Sequence, residues 1–550
     1  MEPKSPSKSK IHVMGFIQSP ITLKCVKVVL LISFILVLIF GYFAFSPSLI
    51  LYVRKRASYF TVVLDCGSTG SRVNIYEWMP NNGEFPILVN TYPGNLTRSD
   101  GCKYHCVQTE PGLAMFVGNA SGLRASLKPL IRGAEKWVPS GKRGVTPIFV
   151  LATAGMRRLP IEDASRVMEG VVGIVKEHGF FYRKDFIRVL SGREEAYYGW
   201  VALNYKMRML GNTSGSHTLG LLDLGGSSLQ VVTEIDEFRE DEHVFRSRIG
   251  SVEHKLLAYS LQAFGFNEAF DRALAILSQT QARRESRGEI FKVRHPCLSS
   301  GFVQNHTCRG CFGQKPSSSE DSSSRMMTCE LNSILVLGDP NWEKCKVLAM
   351  EVATNSSNLE RSKVAEQNCV GLLSYGSDRM QNLTLNSHEV TRYHALSGFF
   401  AVYNMLNLSS RANLTKMWET GQGLCSRSWV DQTDANGLCF RILYMASLIK
   451  DALCLSNLEI IFGPGDVSWA LGAALIEGGE HSRLIATESR RKGLATQHKW
   501  MVSSSITLFI VLVCVLMIVY RSQIKLPMPG RKITSGRASL PSYLSPKQPN

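Results

Sequence analysis

Two short stretches of the chain share one pattern of apolar and polar positions. In each, a run of β-forming residues ends on an aspartate, bends through glycine and hydroxyl residues, and resumes strand-like alternation at once. The first reads YFTVVLDCGSTGSRVNIYEW around Asp65, and the second reads TLGLLDLGGSSLQVVTEI around Asp223. Short apolar runs bounded by turn residues are typical of strands. We therefore predict two β-hairpins, each with a tight turn rich in glycine and in serine or threonine.

The composition of these turns suits a phosphate chain and a divalent cation. Backbone N–H groups in such turns converge into an anion-binding nest, and an acid at the end of a strand can hold a hydrated cation beside it. A Walker loop is excluded, because Gly-Lys-Ser/Thr is absent and a strand follows where a helix would be required. Two ordinary Gly-Ser hairpins are the alternative. The repetition of the Asp-x-Gly pattern favours phosphate binding.

Three further stretches show regular patterns. Residues 147–159, PIFVLATAGMRRL, predict a strand that runs into a polar segment. Residues 191–205, SGREEAYYGWVALNY, predict a helix-like aromatic segment that opens with paired acids. Residues 466–475, DVSWALGAAL, predict a Trp-x-Leu-Gly turn. Surface insertions are expected at residues 283–294 and 316–325, which are respectively basic and rich in serine.

Two longer apolar runs lie near the ends of the 550-residue chain. Residues 28–45 and 505–520 contain no charged side chain and approach the ~20 residues that a membrane-spanning helix needs. They predict a transmembrane helix at each end and the lipid bilayer as a partner. A cleaved signal peptide is the alternative for the first run, and a buried core helix for the second. Paired transmembrane helices also offer a route to oligomerisation.

The formal net charge of +17 lies largely in two tails beside these runs. Residues 1–27 and 521–550 together carry a net charge of +10. Basic segments beside membrane spans follow the positive-inside rule, so we expect no nucleic-acid partner. Both tails are then cytosolic. The middle of the chain is expected to be lumenal or extracellular, in the Golgi or at the plasma membrane.

The middle of the chain also has the composition of a secretory-pathway domain. It holds twelve of the fourteen cysteines, which suits disulfides in an oxidising compartment. A zinc site is the alternative, but the close pair Cys308 and Cys311 has no second pair at ribbon spacing. Eight N-x-S/T sequons, which make sense only on a surface in that pathway, lie at Asn95, Asn119, Asn212, Asn305, Asn355, Asn382, Asn407 and Asn413.

Two Asp-bearing turns in one chain suggest a duplicated fold whose halves face each other and grip a phosphate chain. This is the plan of the actin-like and ribonuclease H-like ATPases, a two-lobed α/β fold. With the stretches at 147–159, 191–205 and 466–475, the two turns resemble, in order, the five apyrase conserved regions of the ecto-nucleoside triphosphate diphosphohydrolases. DCGSTGSR looks especially like the version in plant membrane apyrases. The resemblance covers nearly all of residues 59–480, which include a further similar stretch at 111–130.

The resemblance implies the organisation of the lobes and their disulfides. Residues 59–190, joined by 456–485 returning from the C-terminal side, are expected to form the first α/β lobe. Residues 191–455 are expected to form the second. By resemblance the plausible disulfides are Cys297–Cys345, Cys329–Cys369 and Cys425–Cys439. Cys102 and Cys106 are candidates for a local pair, although the sequence leaves the connectivity open.

The resemblance also implies catalytic roles. Glu195 matches the base that removes a proton from the attacking water, a task that suits a carboxylate whose pKa is raised. Thr153 and Arg157 match polar groups that face the terminal phosphate, and a cation there would stabilise negative charge. Ser228 and Gln230 match the residues that orient the water. The alternatives are a solvated acid for Glu195 and a surface arginine for Arg157; Glu194 is interpreted as a solvated acid.

The remaining matches concern binding. Asp65 and Asp223 match the pair that holds Ca²⁺ or Mg²⁺ largely through water. Phe400 matches the residue that stacks on the base, with a core phenylalanine as the alternative. The matches to the two phosphate loops are Ser68, Thr69, Gly70 and Ser71 in the first and Gly225, Gly226 and Ser227 in the second.

Three positions depart from the family pattern. Ala196 stands where the family has Gly after the base, Leu229 where it has Thr in the second loop, and Cys66 where Ala is common. We expect a membrane-anchored apyrase that hydrolyses nucleoside tri- or diphosphates with metal-assisted attack by water. The alternative is a membrane receptor or scaffold that binds nucleotide without turnover. A kinase-like protein is a third interpretation, but it requires a cytosolic site.

Overall fold

The computed structural model describes residues 58–81, 85–92, 107–210, 218–236, 242–281, 292–309, 331–354, 392–411, 413–431 and 437–479. Both basic tails lie outside this set. So do the apolar runs at 28–45 and 505–520, except for helical residues at 32, 33, 36, 37, 40, 41, 514 and 517. Over the described part of the chain, no helix combines the length and the apolar character needed to cross a bilayer.

The first part of the chain forms a mixed sheet with helices between its strands. In chain order, its elements are β1 (Tyr59–Cys66), β2 (Ser71–Met79), β3 (Ile87–Tyr92), β4 (Gln108–Thr109), α1 (Ala120–Trp137), α2 (Ser140–Arg143), β5 (Ile148–Ala152), α3 (Ala154–Arg157), α4 (Ile161–Val175), β6 (Ile187–Val189) and α5 (Gly192–Lys206). The strand order is β3-β2-β1-β5-β6, with β4 beside β2. β1 is antiparallel to β2 and parallel to β5.

The second part forms another mixed sheet. Its elements are β7 (Gly220–Leu224), β8 (Ser228–Glu234), β9 (Val244–Ile249), β10 (Val252–Gln262), α6 (Phe266–Gln281), β11 (Lys292–His295), β12 (Val303–Arg309), β13 (Leu331–Gly338), α7 (Trp342–Thr354), β14 (Arg392–Ser397), α8 (Gly398–Met405), α9 (Leu414–Asp431), α10 (Leu438–Ser447) and β15 (Glu459–Phe462). The strand order is β15-β14-β7-β8-β10-β9, while β11, β13 and β12 form a small separate sheet.

The two main sheets repeat one topology. β7 is antiparallel to β8 and parallel to β14, as β1 is to β2 and β5. A further parallel strand flanks each set, namely β6 in the first sheet and β15 in the second. The duplicated α/β fold is thus confirmed. One boundary differs from the expectation: β15 belongs to the second sheet, although residues 456–485 were assigned to the first lobe.

Helices lie between the two sheets and on their outer faces. α5 and the helix at residues 469–479 share one core with Val63 of the first sheet and Leu221 of the second. The outer face of the first sheet packs on α1 and α4, and that of the second on α6, α7, α8 and α10. Because both faces of each sheet are covered, β1 and β7 are apolar without alternation. Residues 469–472 lie in a helix, so the predicted Trp-x-Leu-Gly turn is wrong.

Some of the predicted disulfides and sequons fall within the described residues. Cys297–Cys345 and Cys425–Cys439 are confirmed as disulfides, and Cys454 is also disulfide-bonded. The predicted Cys329–Cys369 pair, the candidates Cys102 and Cys106, and the insertion at 316–325 lie outside the described residues. Four sequon asparagines fall within the described residues and all are exposed, namely Asn119, Asn305, Asn407 and Asn413.

Candidate active site

The two Asp-bearing hairpins are equivalent in register. Asp65 lies opposite Arg72 in the β1–β2 ladder, and Asp223 lies opposite Gln230 in the β7–β8 ladder. In the first turn the Gly67 N–H donates to the Gly70 carbonyl at 2.9 Å. In the second, the Gly225 N–H donates to the Ser228 carbonyl at the same distance of 2.9 Å. Both predicted hairpins are confirmed.

The structure brings the two turns into contact. A Cβ on Gly226 would lie 2.9 Å from the Ser68 Oγ and 3.2 Å from the Thr69 side chain. Only glycine therefore lets the second turn approach the first this closely. Ser68 is partly exposed and Thr69 is exposed, whereas Ser71 and Ser227 are buried. The predicted phosphate loops thus meet at one point between the sheets.

Backbone hydrogen bonds from neighbouring segments hold each turn in place. In the second turn, the carbonyls of Gly225 and Gly226 accept from N–H groups at the start of α6, at 3.1 and 2.8 Å. In the first hairpin, the Cys66 carbonyl accepts from the Thr153 N–H at 3.0 Å, which ties β1 to the segment before α3. These contacts fix the turns without using their hydroxyl groups.

The two aspartates form a buried acidic pair. Burial raises the pKa of Asp65 to about 6, the Arg72 guanidinium opposes the rise, and Asp223 adds to it. Burial also raises the pKa of Asp223, although a hydrogen bond from Ser397 and the charge of Arg72 lower it. Arg72 Nη1 lies 3.6 Å from Asp65 Oδ2. Two carboxylates that repel each other in a buried cleft suit a divalent cation, which would offset both charges.

Asp65 and Asp223 offer carboxylate oxygens as possible ligands for a cation. Among the described residues, no group of three or more His, Cys, Asp or Glu side chains is placed to hold a metal. Ca²⁺ and Mg²⁺ prefer oxygen ligands, and Mg²⁺ in particular keeps several waters when one or two carboxylates bind it. Asp65 and Asp223 therefore fit the predicted water-mediated site.

Glu195 and Arg157 form a buried ion pair. Glu195 lies in the first turn of α5, and Arg157 Nη1 donates to its Oε2 at 2.9 Å and to the Leu190 carbonyl at 3.1 Å. Both side chains are 10% exposed, so Arg157 is not a surface arginine and Glu195 is not a solvated acid. Burial raises the pKa of Glu195 to about 7, although Arg157 lowers it. The negative charges of Asp223 and Asp65 add to the rise.

Two nitrogen atoms of the Arg157 guanidinium are available to a ligand. Its Nε and Nη2 atoms are buried and have no hydrogen-bond partner among the described residues. A buried, unsatisfied guanidinium N–H is costly unless a ligand completes it. An anionic phosphate oxygen is the ligand that such a fork matches best. The side chain fits its predicted place beside the terminal phosphate.

Glu194 has a different role from its neighbour. Its carboxylate accepts from the backbone N–H of Ser191 at 2.8 Å and pairs with Arg188, which makes it the second half of a capping box. Burial raises the pKa of Glu194, but the hydrogen bonds of Ser191 and Arg188 outweigh this and lower it overall. Glu194 is therefore a helix cap whose side chain is 37% exposed, which agrees with its interpretation as a solvated acid at the start of a helix.

Ser228 and Gln230 lie together on one face of β8. Gln230 Nε2 donates to Ser228 Oγ at 2.7 Å and to Ser260 Oγ at 3.3 Å, and both Gln230 and Ser228 are buried. Thr153 is also buried, and its side chain does not cap α3. These side chains could orient a water or a phosphate oxygen. No sequence pattern pointed to Ser260, which lies on β10 and is brought to Gln230 by strand pairing.

Phe400 lies apart from the acidic pair, at the start of α8. The neighbouring Phe399 is fully buried in the core, whereas Phe400 is partly exposed and packs against the backbone of Gly463 and Gly465. Phe400 is therefore not the core side chain of this helix. β14, which leads into α8, pairs with β7 so that Leu396 lies opposite Asp223. Phe400 thus follows the end of a strand that pairs with the strand of Asp223.

The three departures from the family pattern all point away from the site. Leu229 is fully buried in the core beneath the second sheet, because it alternates with Ser228 and Gln230 on β8. Ala196 is fully buried in the core between the sheets, and Cys66 in the core under the first sheet. A threonine hydroxyl at position 229 would therefore lie in the core as well. No departure gives support to a non-hydrolytic receptor.

Other residues of the site were missed from the sequence. Ser397 contacts Asp223 and has a φ of 51°, an uncommon value for a non-glycine residue. Glu268 in α6 accepts from Ser227 Oγ at 3.3 Å. Arg72 lies inside the first motif, and its place opposite Asp65 follows from the hairpin register alone. Of these residues, only Arg72 had a sequence signal that could have found it.

Comparison with known proteins agrees with this architecture. The profile of the GDA1/CD39 (nucleoside phosphatase) family matches residues 52–482. Probable apyrase 7 of Arabidopsis thaliana is 36% identical over 462 residues, which cover 80% of this chain and 60% of that protein. The nucleoside-diphosphatase mig-23 of Caenorhabditis elegans is 25% identical over 478 residues, 78% of each chain. The chain thus spans about 60% of the length of the Arabidopsis relative.

A solved structure shares the fold. The crystal structure of nucleoside triphosphate hydrolases from Neospora caninum superposes with a TM-score of 0.52 at 13% sequence identity. The match covers 80% of this chain and 98% of that one. At this identity the likeness concerns the fold alone, and it agrees with the duplicated mixed sheets described above.

Proposed function

Because the chain belongs to the GDA1/CD39 (nucleoside phosphatase) family, we propose that it hydrolyses the terminal phosphoanhydride bond of nucleoside tri- or diphosphates. One observation carries the proposal. The buried Glu195–Arg157 pair lies beside an acidic pair, at the place where two equivalent Gly-Ser turns meet. This arrangement combines a base, an anion-stabilising cation and two phosphate-binding turns. Phe400 would stack on the base of the nucleotide.

Glu195 is suited to act as the general base. With a pKa near 7 it can be deprotonated at neutral pH and still take a proton from water. Gln230 and Ser228 would orient the attacking water, since both offer buried hydrogen-bonding groups on one strand face. Arg157 and Thr153 would face the terminal phosphate, and the spare Arg157 donors would bind oxygens whose negative charge increases in the transition state. The proton moves from water to a Glu195 carboxylate oxygen.

Asp65 and Asp223 would hold a Ca²⁺ or Mg²⁺ ion, largely through water. When bound, such an ion neutralises phosphate charge and orients the phosphate chain. Support comes from the raised pKa values of these carboxyl groups, which arise mainly because burial disfavours their charged forms, a cost that a bound cation would offset.

We also propose that the chain is anchored in a membrane with its hydrolytic domain on the lumenal or extracellular side. Support comes from the uncharged runs at 28–45 and 505–520, the basic tails beyond them, and the disulfides of the domain. The exposure of the four described sequon asparagines also supports it.

A matched pair of substitutions tests the hydrolytic function. Glu195→Gln keeps the shape of the side chain but cannot accept the proton, so we expect kcat to fall by about 10²- to 10⁴-fold. Nucleotide affinity should change little. Phosphate release from a panel of nucleoside tri- and diphosphates with saturating Ca²⁺ measures both.

The control is Glu194→Gln. Glutamine also serves in a capping box, so this variant should lose less than about 10-fold in kcat. Full activity of Glu195→Gln would rule out Glu195 as the base. Loss of activity only in Glu194→Gln would move the base by one residue.

The cation has its own test. EDTA should abolish phosphate release, and millimolar Ca²⁺ or Mg²⁺ should restore it. Asp223→Ala removes one of the two carboxylates and should raise the cation concentration needed for half-maximal activity. Near-normal turnover of Asp223→Ala at low Ca²⁺ would contradict the proposed site.

A further inference from the structure

A second arginine next to Arg157 ties the two halves of the molecule together. Arg158 caps the C-terminus of α3, and its Nη1 donates to Glu268 Oε1 in the first turn of α6. α3 follows a strand of the first sheet, whereas α6 follows a strand of the second. The ion pair therefore crosses between the two lobes, and its members are 110 residues apart in sequence.

The same carboxylate also holds the second phosphate turn. Ser227 Oγ donates to Glu268 Oε1 at 3.3 Å, and the adjacent Asn267 N–H donates to the Gly226 carbonyl at 2.8 Å. Glu268 is thus a single acceptor shared by Arg158 from the first lobe and Ser227 from the second. On the other side of this contact, Arg158 is covalently joined to Arg157.

We propose that Arg158 and Glu268 are positioning residues that set the spacing between Arg157 and the second phosphate turn. The inference rests on the proposed phosphohydrolase function. Arg157 would meet the terminal phosphate from the first lobe, while Ser227 would bind the phosphate chain from the second. Catalytic groups that come from separate lobes must be held in place, since small displacements cost large factors in rate.

The Arg158–Glu268 ion pair, called the latch below, is partly exposed. The Arg158 and Glu268 side chains are 33% and 17% exposed, so water screens the charges of this pair only in part. Nearby, Gly226 of the second lobe lies so close to Ser68 of the first that an added Cβ would come within 2.9 Å of the Ser68 Oγ. The ion pair adds a directional, charge-assisted contact to that packing.

The test compares three variants of the full-length protein with a matched control. Arg158→Ala removes the donor of the latch, and Glu268→Gln removes the negative charge of its acceptor. The double variant loses the same ion pair. Arg124→Ala is the control, because it removes an Arg–Glu pair, Arg124 with Glu177, that lies within the first lobe. We expect each single latch variant to lower kcat/KM by about 3- to 5-fold, the factor for a partly exposed ion pair. The double variant should be no worse than the more affected single one.

Hydrogen exchange supplies a readout that does not depend on catalysis. Backbone amides of residues 225–228 and 266–269, measured without nucleotide, should exchange faster in Arg158→Ala and Glu268→Gln than in wild type or Arg124→Ala. A merely structural surface pair would leave this exchange and kcat/KM at the level of the control.

The outcomes separate this inference from the proposed function. If both latch variants match Arg124→Ala in kcat/KM and in exchange, the positioning role is overturned. If the wild type releases no phosphate while exchange still rises in the latch variants, the hydrolytic function fails and the latch stands. Additive losses in the double variant would show that the two side chains act separately, which also overturns the latch.

Discussion

At the scale of single residues, the pKa of Glu195 results from opposing effects. Burial and the charges of Asp223 and Asp65 favour its protonated form, while Arg157 favours the carboxylate. The balance leaves its pKa near 7, where a base is most useful at neutral pH. Glu194, one residue earlier, is held ionised by Ser191 and Arg188. Neighbouring acids thus take different roles because their partners differ.

The raised pKa of Glu195 predicts that the rate of hydrolysis falls at acidic pH. This fall is the acid limb of the pH–rate profile. Because the base must be deprotonated, kcat/KM should fall as pH drops through the folded-state pKa. A cation bound by Asp65 and Asp223 would lower this pKa, because it would offset the two negative charges that raise it. We therefore expect the apparent pKa to lie between the ordinary glutamate value of 4.5 and about 7. Phosphate release measured from pH 4 to 9 gives the profile.

The residual activity of Glu195→Gln provides the control for that profile. Glutamine does not titrate, so the acid limb should be absent from the pH–rate profile of Glu195→Gln. The profile of Glu194→Gln should keep its acid limb. An unchanged acid limb in Glu195→Gln would show that another group, such as the substrate phosphate, titrates instead.

At the scale of elements, β8 divides its residues between the site and the core. Ser228 and Gln230 present polar groups on one face, and Leu229 between them packs among apolar side chains of the other. Strand alternation alone produces this division, because successive side chains point to opposite faces. A hydroxyl at position 229 would thus lie in the core and not beside the substrate.

Leu229→Thr tests this placement. The substitution buries a hydroxyl and leaves a small void, so we expect it to lower the free energy of unfolding by about 2–4 kcal/mol. It should not raise kcat per folded molecule. Thermal unfolding and phosphate release measure the two effects. Leu229→Met, which roughly conserves volume, is the control and should cost less than about 1.5 kcal/mol.

A different outcome would have a definite meaning. If Leu229→Thr kept its stability and increased kcat, the side chain at position 229 would face the substrate. The core placement of Leu229 in the structure would then be wrong.

At the scale of the whole molecule, the site lies where three layers meet. α5 is buried between the two sheets, and Glu195 in its first turn therefore lies between the Asp65 and Asp223 hairpins. The turns touch through Gly226 and Ser68, and the Arg158–Glu268 pair joins the lobes beside them. No single lobe contains the complete set of groups.

The arrangement of the chain across the membrane can be tested on the whole molecule. If both apolar runs span the membrane with their basic tails in the cytosol, protease added to sealed vesicles should remove tags at both termini. A glycosylated core should be spared and should lose mass on enzymatic removal of N-glycans. Detergent-opened vesicles are the control, since the core then becomes accessible. Protection of either tag in sealed vesicles would contradict the two-span arrangement.

Local pattern determined much of the fold. The two hairpins, the strand before Thr153 and the helix that begins at the paired acids all follow from periodicity and turn chemistry, and all are present. Resemblance to a family supplied what pattern alone did not, including the Cys297–Cys345 and Cys425–Cys439 pairs. Each of these features depends on residues close in sequence or on a motif that can be recognised whole.

Only the tertiary structure decided the properties that depend on distant residues. The contact between Ser68 and Gly226, the pKa of Glu195 and the place of β15 in the second sheet result from long-range packing, which periodicity does not encode. The same holds for Glu268, an ordinary helix residue in the sequence that meets Arg158 only when the lobes assemble. Sequence specifies which face of an element is apolar. Which elements meet, and therefore which charges share a buried site, is set by how those faces pack together.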